Sequence, residues 1–418
     1  MDYISVVEKL KSCCGAALKV RSSKTEIKNQ VLLTSARLLS EQSALLLVAN
    51  ARDVSALKPD ATKAFKDRLY LDEGRIRGMV ESLKQVAALA DPVGELVEKK
   101  ILKNGLKVRK VRAPLGVILM IFESRPNVAV EAFSLAFKAG NVLILRGGKE
   151  SVHTTSEIYR ILNQALTMHL MPEDSVWGII DTDRALTRFL LEQHRFIDVV
   201  VPRGGTSLIE FVTTHTRIPV IKNDRGLCHI YVHHDAPEKI ALTLIENAKT
   251  QRPGVCNSME TLLIHEGIYK KFLPLVYDRL SQYSVQWYVC PRAATLLAGK
   301  NGIHSAVLTS FDTEYLDLKM NCRVVDSLEQ AIAHIDAHGS KHSECIVTAS
   351  QETALLFQDQ VDAAAVYWNA STRFTDGFEL GLGGELGIST QKLHVRGPVG
   401  LKELTSVRWL IDGEGQTR

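Results

Sequence analysis

The sequence predicts an α/β protein with parallel sheets and more than one domain, and two observations support this prediction. Between residues 116 and 221, short apolar, β-branched runs alternate with amphipathic segments, which is the pattern of a parallel sheet covered by helices on both faces. A chain of 418 residues also exceeds the roughly 250 to 300 residues that one hydrophobic core usually supports. We therefore expect at least two domains.

Helices and a hairpin come before this alternating region. Ser23 followed by Glu26 predicts a capping box at the start of one helix, and a second helix is predicted over 43–57. Farther along, Asn104-Gly105 lies between segments that alternate apolar and basic residues, which predicts a β-hairpin. Because an exposed hairpin edge usually needs a partner, we expect an oligomerisation arm here.

The alternating region itself gives a strand-by-strand prediction. Strands are predicted at 141–146, 176–180, 196–202 and 218–221, and helices at 154–170, 183–194 and 207–214. Two strand ends carry the glycine pairs 147–148 and 204–205, where backbone amides can approach a phosphate or a cofactor closely. A second α/β unit is predicted to begin near residue 226, with a helix over 237–250.

Composition and charge exclude several classes of function. The net charge of +4 comes from 51 basic and 47 acidic residues without a block of like charges, so neither a nucleic-acid nor a membrane surface is predicted. The N-terminus lacks the pattern of an export signal, and the apolar run 115–122 is too short to span a bilayer. Seven scattered cysteines without a C-x-x-C pair argue against disulfides and zinc knuckles and favour a cytoplasmic protein.

One cysteine has the sequence environment of a nucleophile. Pro253-Gly254 interrupt a helix predicted to end near Thr250, and 256-CNSMETLL-263 is predicted to start another, which would place Cys256 at a helix N-terminus. The helix dipole and the free amides there favour a thiolate and can hold a developing oxyanion. On these residues alone, a buried structural thiol stays the competing interpretation.

A run of possible metal ligands, His233-His234-Asp235, follows a predicted strand. Adjacent side chains at the end of a strand are expected to point to opposite faces. We therefore predict a solvated turn at this position and no metal site.

Six segments of the chain carry a family resemblance, and together they cover nearly its whole length. These segments are 114–128, 138–150, 202–205, 246–263, 366–377 and 386–401. They resemble the gamma-glutamyl phosphate reductase family within the aldehyde dehydrogenase superfamily, and the stretches around Cys256 and 369–377 are specific to these reductases. The resemblance implies an aldehyde dehydrogenase-like fold of two Rossmann-like α/β domains with a β-hairpin oligomerisation arm.

The resemblance also gives domain boundaries that serve as an expectation. A discontinuous dinucleotide-binding domain would comprise 1–99 and 116–225, and a catalytic domain 226–390, with Cys256 in the cleft between them. The oligomerisation arm would comprise 100–115 and 391–418.

The reaction implied by the resemblance is the NADPH-dependent reduction of L-glutamyl 5-phosphate to L-glutamate 5-semialdehyde, the second step of proline biosynthesis from glutamate. Cys256 would form a thioester with release of phosphate. Asn223 replaces the glutamate that activates water in hydrolytic relatives, so the thioester would survive, although the carboxylate of Asp224 lies next to it. The superfamily's oxyanion-hole asparagine falls on Glu123, which leaves Asn127 or the Cys256 amide for that role.

Further residues are assigned to ligands through the same resemblance. For NADPH these are Arg146 and Lys149 at the adenosine ribose, Gly204 and Gly205 in the phosphate loop, and Glu314 at the nicotinamide ribose. For the substrate they are Ser371, Thr372 and Arg373 at the amino-acid end, and Arg125 or Arg252 at the phosphate. The two basic residues near the ribose could instead only solvate a strand end, and the polar residues could serve as loop hydrogen-bonders.

Partners and rival functions complete the expectations. We expect a homo-oligomer, at least a dimer, and functional coupling to a separate glutamate 5-kinase, because 418 residues leave no room for a kinase module. The nearest rival is a relative that oxidises an aldehyde or reduces an acyl-CoA. More distant rivals are a cysteine acyltransferase or hydrolase on a nucleotide-binding scaffold, and a non-catalytic binding protein in which Cys256 is structural.

Overall fold

The computed structural model describes residues 2–61, 63–222 and 225–418. Contacts between Cα atoms divide the chain into two compact units, the first comprising Met1–Lys222, Gly381–Gly387 and Val399–Arg418, and the second Asn223–Leu380 and Ile388–Pro398. Each unit contains a parallel sheet with helices packed against it, so the predicted α/β class is confirmed. The finer division into three functional domains stays a prediction.

The helices and strands are numbered in chain order. The helices are α1 (Tyr3–Ser22), α2 (Thr25–Glu41), α3 (Ser43–Ser55), α4 (Lys63–Leu69), α5 (Glu73–Ala88), α6 (Asn127–Lys138), α7 (Val152–Met168), α8 (Arg184–Leu191), α9 (Thr206–His215), α10 (Glu238–Thr250), α11 (Tyr269–Ser281), α12 (Pro291–Leu296), α13 (Leu328–His338) and α14 (Gln351–Gln360). The strands are β1 (Leu96–Ile101), β2 (Lys107–Pro114), β3 (Val117–Phe122), β4 (Val142–Arg146), β5 (Val176–Ile179), β6 (Val199–Arg203), β7 (Cys228–Val232), β8 (Met259–His265), β9 (Gln286–Val289), β10 (Ile303–Ser305), β11 (Lys319–Val325), β12 (Ser343–Val347), β13 (Ala365–Trp368), β14 (Ile388–Ser389), β15 (Gly397–Pro398) and β16 (Thr405–Asp412). Short 3-10 turns lie at Lys149–Ser151, Glu173–Ser175, Leu308–Asp312 and Thr372–Phe374.

A four-stranded parallel sheet in the order β5-β4-β3-β6 forms the centre of the first unit. Every residue of β3 is buried, which explains its unbroken apolar sequence, because helices cover both faces of a parallel sheet. Two predicted glycine pairs follow strands of this sheet, after β4 and within the β6–α9 turn. The sheet therefore brings both glycine turns to its carboxyl edge.

A separate antiparallel sheet in the order β1-β2-β16 belongs to the same unit. The β1–β2 turn falls at the Asn104-Gly105 pair, where Gly105 has a φ of 86° and its amide donates to the carbonyl of Leu102 at 2.9 Å. All six residues of β1 are exposed. Its role as an oligomerisation arm stays a prediction.

A seven-stranded parallel sheet in the order β10-β9-β11-β8-β7-β12-β13 forms the second unit. Alternate residues of β7 face two different cores, as a strand requires. Ile230 and Val232 pack with residues of α10 and α11, whereas Tyr231 packs with Ile335 and Phe357 of the two helices on the other face. Helices thus cover both faces of the sheet, so a functional site is expected at the ends of its strands.

The helix predicted to begin at Cys256 is wrong, because the chain forms the central strand β8 from Met259 onwards. The side chains from Met259 to Ile264 are all buried, and β8 pairs with β7 on one side and β11 on the other. A short apolar run that is buried on both faces has no periodicity that separates a strand from a helix. The argument that a helix dipole activates Cys256 is lost with this helix.

Two other local predictions also fail. Ser23 does not cap α2, because its hydroxyl donates to the carbonyl of Lys19 at 2.7 Å and closes α1 instead, and Lys24 stands at the N-cap without a side-chain bond. The predicted strand at 218–221 is reduced to a single parallel bridge between Val200 and Val220. Among the described helices, no single helix is long and apolar enough to cross a membrane. The consecutive helices α2 and α3 meet that length and composition test only when taken together, and the chain bends by 70° between them.

Candidate active site

Cys256 lies in a tight turn between α10 and β8, at the amino edge of the seven-stranded sheet, and is half-buried. The backbone of Gly226, which leads into the neighbouring strand β7, packs directly on this turn: a Cβ at Gly226 would lie 1.7 Å from the carbonyl oxygen of Cys256. The Sγ of Cys228 donates to the same oxygen at 3.1 Å. Only glycine at 226 therefore permits this position of the cysteine.

The next residue, Asn257, clamps the turn to a second loop. Its Nδ2 donates to the carbonyl oxygens of Arg373 at 3.3 Å and Thr375 at 2.9 Å, and its own carbonyl accepts from the hydroxyl of Thr372 at 2.8 Å. Asn257 is 4% exposed, and its Oδ1 is buried without a hydrogen bond to the described residues. Asn257 was not among the predicted site residues, although it directly follows the cysteine.

The loop at 371–373 carries three predicted substrate residues and packs on α10 and the cysteine turn. The hydroxyl of Ser371 donates to Oδ1 of Asn247 at 2.7 Å, and Thr372 is fully buried on Asn257. Both hydroxyls therefore hold the loop against α10 and the cysteine turn. Their predicted contacts with a substrate stay predictions.

Arg373 is the cation of this loop that reaches Cys256. Burial, and then the nearby Arg252, lower the pKa of Arg373, while Asp376 and Cys256 oppose that shift. Its Nε donates to Oε1 of Gln251 at 3.1 Å. The structure thus brings together the predicted residues Cys256, Arg252 and Arg373, and a guanidinium beside a thiol favours the thiolate.

Burial affects the thiol pKa of five of the other six cysteines. None of the seven, all within the described residues, is joined in a disulfide. Burial raises the pKa of Cys13 and Cys345 to about 12, that of Cys228 and Cys322 well above the ordinary value, and that of Cys14 to a smaller extent. Cys256 and Cys290 are half-buried thiols outside this group. Of these two, only Cys256 has Arg373 beside it.

Glu314 holds the backbone that packs on Cys256. Its Oε1 accepts the amide of Gly226 at 2.7 Å, which fixes the backbone that packs on Cys256. Burial raises the pKa of Glu314, and the bond from Gly226 opposes that shift. Its predicted contact with the nicotinamide ribose stays a prediction.

A buried ion pair, also missed by the sequence analysis, joins the two elements on either side of the cysteine turn. Nζ of Lys249, at the end of α10, donates to Oε2 of Glu260 at 3.3 Å and to the carbonyl of Met259 at 3.0 Å. The side chains of Lys249 and Glu260 are 0% and 1% exposed. Burial raises the pKa of Glu260 to about 7, and Lys249 opposes that shift.

The basic residues predicted to bind the adenosine ribose lie after β4 in the first unit. Arg146 donates from Nη2 to the carbonyl of Thr182 at 2.8 Å, while its Nε is buried without a hydrogen bond to the described residues. Lys149 is exposed at the start of a 3-10 turn. The adjacent Glu150 is turned to Ser124, whose amide and hydroxyl donate to it at 2.8 and 2.9 Å. These positions suit an anionic ligand, and their role stays a prediction.

The side chain of Glu123 occupies the second glycine turn, at residues 204–205. The amide of Gly205, the N-cap of α9, donates to Oε2 of Glu123 at 3.0 Å, and a Cβ on Gly204 would approach the same oxygen to 2.4 Å. A Cβ on Gly205 would meet no atom within 4 Å, so this helix start is open on one side. A phosphate could use the Gly205 amide only by displacing the carboxylate of Glu123.

The remaining predicted residues of the first unit lie at the start of α6. Asn127 is the first residue of that helix, and its Nδ2 donates to Oε1 of Glu131 at 2.9 Å. Arg125 is half-buried in the preceding loop. Their roles in oxyanion and phosphate binding stay predictions. Asn223 and Asp224, the basis of the argument on thioester survival, lie outside the described residues.

The run His233-His234-Asp235 forms a turn as predicted, but the reason given for excluding a metal is wrong. One ligand atom from each of the three side chains lies within 4.8 Å of the others. The strand β7 ends at Val232, and the amide of Ala236 bonds back to the carbonyl of His233 at 3.1 Å. The alternation of a strand therefore does not apply to these side chains.

Two α/β units, one with glycine-rich turns at a parallel sheet and one with a half-buried cysteine in a tight turn, define the aldehyde dehydrogenase class of fold. The model of the aldehyde dehydrogenase family matches residues 11–289. A crystal structure of an acetylating aldehyde dehydrogenase from Geobacillus thermoglucosidasius is similar in fold, with a TM-score of 0.72, 16% identity, and coverage of 99% of this chain and 97% of that one.

Closer relatives share one description. "Gamma-glutamyl phosphate reductase" of Moorella thermoacetica is 47% identical over 395 residues (94% of each chain), and that of Agathobacter rectalis is 44% identical over 404 residues (96% of this chain and 97% of the relative). The crystal structure of gamma-glutamyl phosphate reductase from Thermotoga maritima matches with a TM-score of 0.95 and 40% identity, covering 99% of both chains. The chain belongs to the gamma-glutamyl phosphate reductases of the aldehyde dehydrogenase family and is an oxidoreductase, which confirms the predicted resemblance.

Proposed function

We propose that this chain reduces L-glutamyl 5-phosphate to L-glutamate 5-semialdehyde with NADPH, through a thioester on Cys256 and with release of phosphate. This reaction is the second step of proline biosynthesis from glutamate. The observation that carries the proposal is the half-buried Cys256 beside Arg373, in a chain whose relatives over nearly its full length are named gamma-glutamyl phosphate reductase.

The first step is an acyl transfer to sulfur. The Cys256 thiolate attacks the acyl carbon, a carbon–sulfur bond forms, and the bond to the phosphate oxygen breaks with its electron pair leaving on phosphate. Because an acyl phosphate is already activated, the step needs no strong base. Arg373 favours the thiolate, and with Arg252 it supplies positive charge suited to the anionic groups of the substrate.

Positioning of the sulfur is the main contribution of the surrounding chain. The backbone of Gly226 closes one side of the cysteine turn, and the bonds of Asn257 to the loop at 372–375 close the other. A turn held from both sides presents the sulfur in one orientation, which lowers the entropy cost of attack.

A nicotinamide cofactor fits the proposal, and the choice of NADPH depends on the first unit. NADPH, when bound, supplies the hydride that reduces the thioester to the aldehyde. Arg146 has a buried Nε without a hydrogen bond to the described residues, and Lys149 is exposed nearby in sequence. Glu150, which Ser124 holds, also acts on the charge of Arg146, and the two cations together suit a 2′-phosphate.

The reverse reaction tests the proposal. We would measure reduction of NADP⁺ by glutamate 5-semialdehyde with and without phosphate, in the wild type, in Cys256→Ala and in Cys290→Ala. Cys290 is the matched control because it is the other half-buried thiol of the second unit. We expect turnover that requires phosphate, is lost in folded Cys256→Ala and is retained in Cys290→Ala.

Other outcomes would identify the rival functions. Turnover without phosphate would indicate a hydrolytic aldehyde dehydrogenase, and turnover that requires coenzyme A in place of phosphate would indicate an acylating one. Activity retained in Cys256→Ala would refute the proposed nucleophile.

We also propose that the chain forms a homo-oligomer through the sheet β1-β2-β16. On β16, Val407, Trp409 and Ile411 alternate along the strand and are 43%, 48% and 59% exposed. On β1, Leu96 and Ile101 are 53% and 68% exposed. A sheet face with exposed apolar side chains favours association with another copy of the chain.

A further inference from the structure

The turn that follows β7 collects three side chains able to bind a metal. His233, His234 and Asp235 each bring one ligand atom within 4.8 Å of the other two, and the two imidazole centroids are 4.2 Å apart. His233 is buried, whereas His234 is exposed and Asp235 is half-buried, so the cluster opens to solvent on one side. An ion can therefore enter without the sheet opening.

His233 is prepared to act as a ligand. Its Nδ1 lies 2.8 Å from the hydroxyl of Tyr231, whereas its Nε2 makes no hydrogen bond to the described residues. A proton on Nδ1 shared with Tyr231 leaves the Nε2 lone pair for a metal, the usual arrangement of an outer partner on a ligating histidine.

Asp235 is also held in place before any ion binds. Its Oδ1 accepts from the hydroxyl of Thr348 at 2.6 Å, and its Oδ2 accepts from the amide of Ser350 at 3.0 Å. Each carboxylate oxygen keeps lone-pair capacity beyond one such bond. The carboxylate is therefore oriented by the chain segment after β12, and it can still bind a cation.

We propose that His233, His234 and Asp235 bind one divalent transition-metal ion of the Zn²⁺ type, with water in the remaining coordination positions. Two imidazoles and one carboxylate suit Zn²⁺, Co²⁺ or Ni²⁺, whereas Mg²⁺ and Ca²⁺ prefer sets of oxygen ligands. His265, whose ring packs edge-on at 5.2 and 5.1 Å from the two imidazoles, is not a ligand. Its Nδ1 accepts the amide of Gly267 at 3.0 Å, which places the proton of the neutral ring on Nε2.

The site is separate from the cysteine. His233 follows the carboxyl end of β7, whereas Cys256 precedes the amino end of the adjacent parallel strand β8. The seven residues of β8 span about 20 Å at the usual rise per strand residue. The ion would not act on the reacting atoms, but it would tie the end of β7 to the segment after β12 and stabilise this unit.

Cobalt binding tests the site without using activity. Protein stripped of metal with a chelator would be titrated with Co²⁺, and the visible absorption of the bound ion recorded for the wild type, His234→Ala, Asp235→Asn, Tyr231→Phe, His265→Ala and His304→Ala. The last two variants are controls. In His265, Nδ1 already accepts the amide of Gly267 and Nε2 carries the proton, so neither nitrogen offers a lone pair to the ion. His304 is an exposed histidine elsewhere in the same unit.

We expect the wild type to bind one equivalent of Co²⁺, and His234→Ala and Asp235→Asn to lose that binding. Tyr231→Phe should weaken it by about 10- to 100-fold, the usual effect of removing an outer partner. Both controls should bind as the wild type does. Zn²⁺ should raise the thermal unfolding midpoint of the wild type but not that of His234→Ala, a variant whose exposed side chain does not threaten folding.

Three results would overturn the proposal. The first is no saturable binding of one equivalent by the wild type, and the second is equal binding by His234→Ala. The third is a loss in His265→Ala as large as that in His234→Ala, because it would assign the ion to a different set of ligands.

Discussion

The hydroxyl of Thr372 donates a 2.8 Å hydrogen bond to the carbonyl oxygen of Asn257, the residue that follows Cys256. Thr372 is 0% exposed, so this bond is made out of contact with water. A residue that the sequence assigned to substrate binding thus has a positioning contact in the structure. The contact makes the two roles separable by experiment.

Thr372→Val should destabilise the second unit by about 1–3 kcal/mol, because it removes a buried donor and leaves a carbonyl without its partner. Urea unfolding measures this loss, and Thr372→Ser, which keeps the hydroxyl, is the control. If Thr372→Val raised the KM for the substrate without changing the free energy of unfolding, Thr372 would be a substrate contact instead.

Gly226→Ala should abolish activity by displacing Cys256. The new methyl group would lie 1.7 Å from the carbonyl oxygen of Cys256, so the turn must move. Gly254→Ala, on the other side of the cysteine, is the matched control, because its methyl group would find its nearest atom, the Leu316 carbonyl oxygen, at 3.7 Å. Comparable activity in the two variants would show that the position of the cysteine turn does not matter for the reaction.

The reactivity of Cys256 towards iodoacetamide gives a second measurement on the same pair of variants. We expect labelling of Cys256 to change in Gly226→Ala and to stay as in the wild type in Gly254→Ala, since only the first substitution moves the turn. Circular dichroism would establish that both variants are folded.

The buried pair Lys249–Glu260 should make stability depend on pH. Burial raises the pKa of Glu260 from 4.5 to about 7, so its contribution to stability is complete below pH 4.5 and is lost as the pH rises to about 7. In that range the unfolded chain releases a proton that the folded chain retains. The loss is at most about 3 kcal/mol.

The double variant Lys249→Met/Glu260→Gln isolates this contribution. Its free energy of urea unfolding should fall less between pH 5 and pH 7.5 than that of the wild type. The comparison is needed because other groups titrate too: burial lowers the pKa of His334 to about 2, which makes stability rise with pH through the range of an unfolded histidine. Parallel pH profiles for the two proteins would contradict the assignment to Glu260.

Sequence patterns predicted most strands of the first unit. The alternation of β3 to α9 was readable because strands and helices differ in length and period, and the position of the β1–β2 turn followed from Asn104-Gly105. The helix after Cys256 failed because β8 is apolar on both faces, so its sequence has no period of two.

Residues that act through tertiary contacts left no local signal. Lys249 and Glu260 read as surface charges, since such residues are rarely buried, and only the packing of α10 on β8 reveals them. Asn257 gains its role from a loop more than a hundred positions away in the sequence. The closeness of His233, His234 and Asp235 was not foreseen because a strand's alternation was extended past Val232 into a turn.

Lys149→Glu should shift the cofactor preference from NADPH towards NADH. A carboxylate in place of the exposed cation would repel a 2′-phosphate and could accept a ribose hydroxyl. Because one hydrogen bond between charged groups contributes about 1.5–3 kcal/mol, we expect kcat/KM for NADPH to fall about 10- to 100-fold. Lys19→Glu, an identical change of charge at an exposed position of α1, should leave the ratio unchanged; an unchanged ratio in Lys149→Glu would remove Lys149 from the cofactor site.

The last prediction concerns the exposed face of β16. If copies of the chain associate through this sheet, Val407→Lys/Ile411→Lys should convert the oligomer to monomers, because two buried lysines would face apolar side chains across the interface. Leu33→Lys/Val48→Lys, at residues 48% and 55% exposed on α2 and α3, is the control and should remain associated. Sedimentation velocity across a range of concentrations distinguishes the outcomes. An oligomer that survives the β16 substitutions would place the interface elsewhere, and a wild type that is monomeric at every concentration would mean that this face has no second copy to cover it.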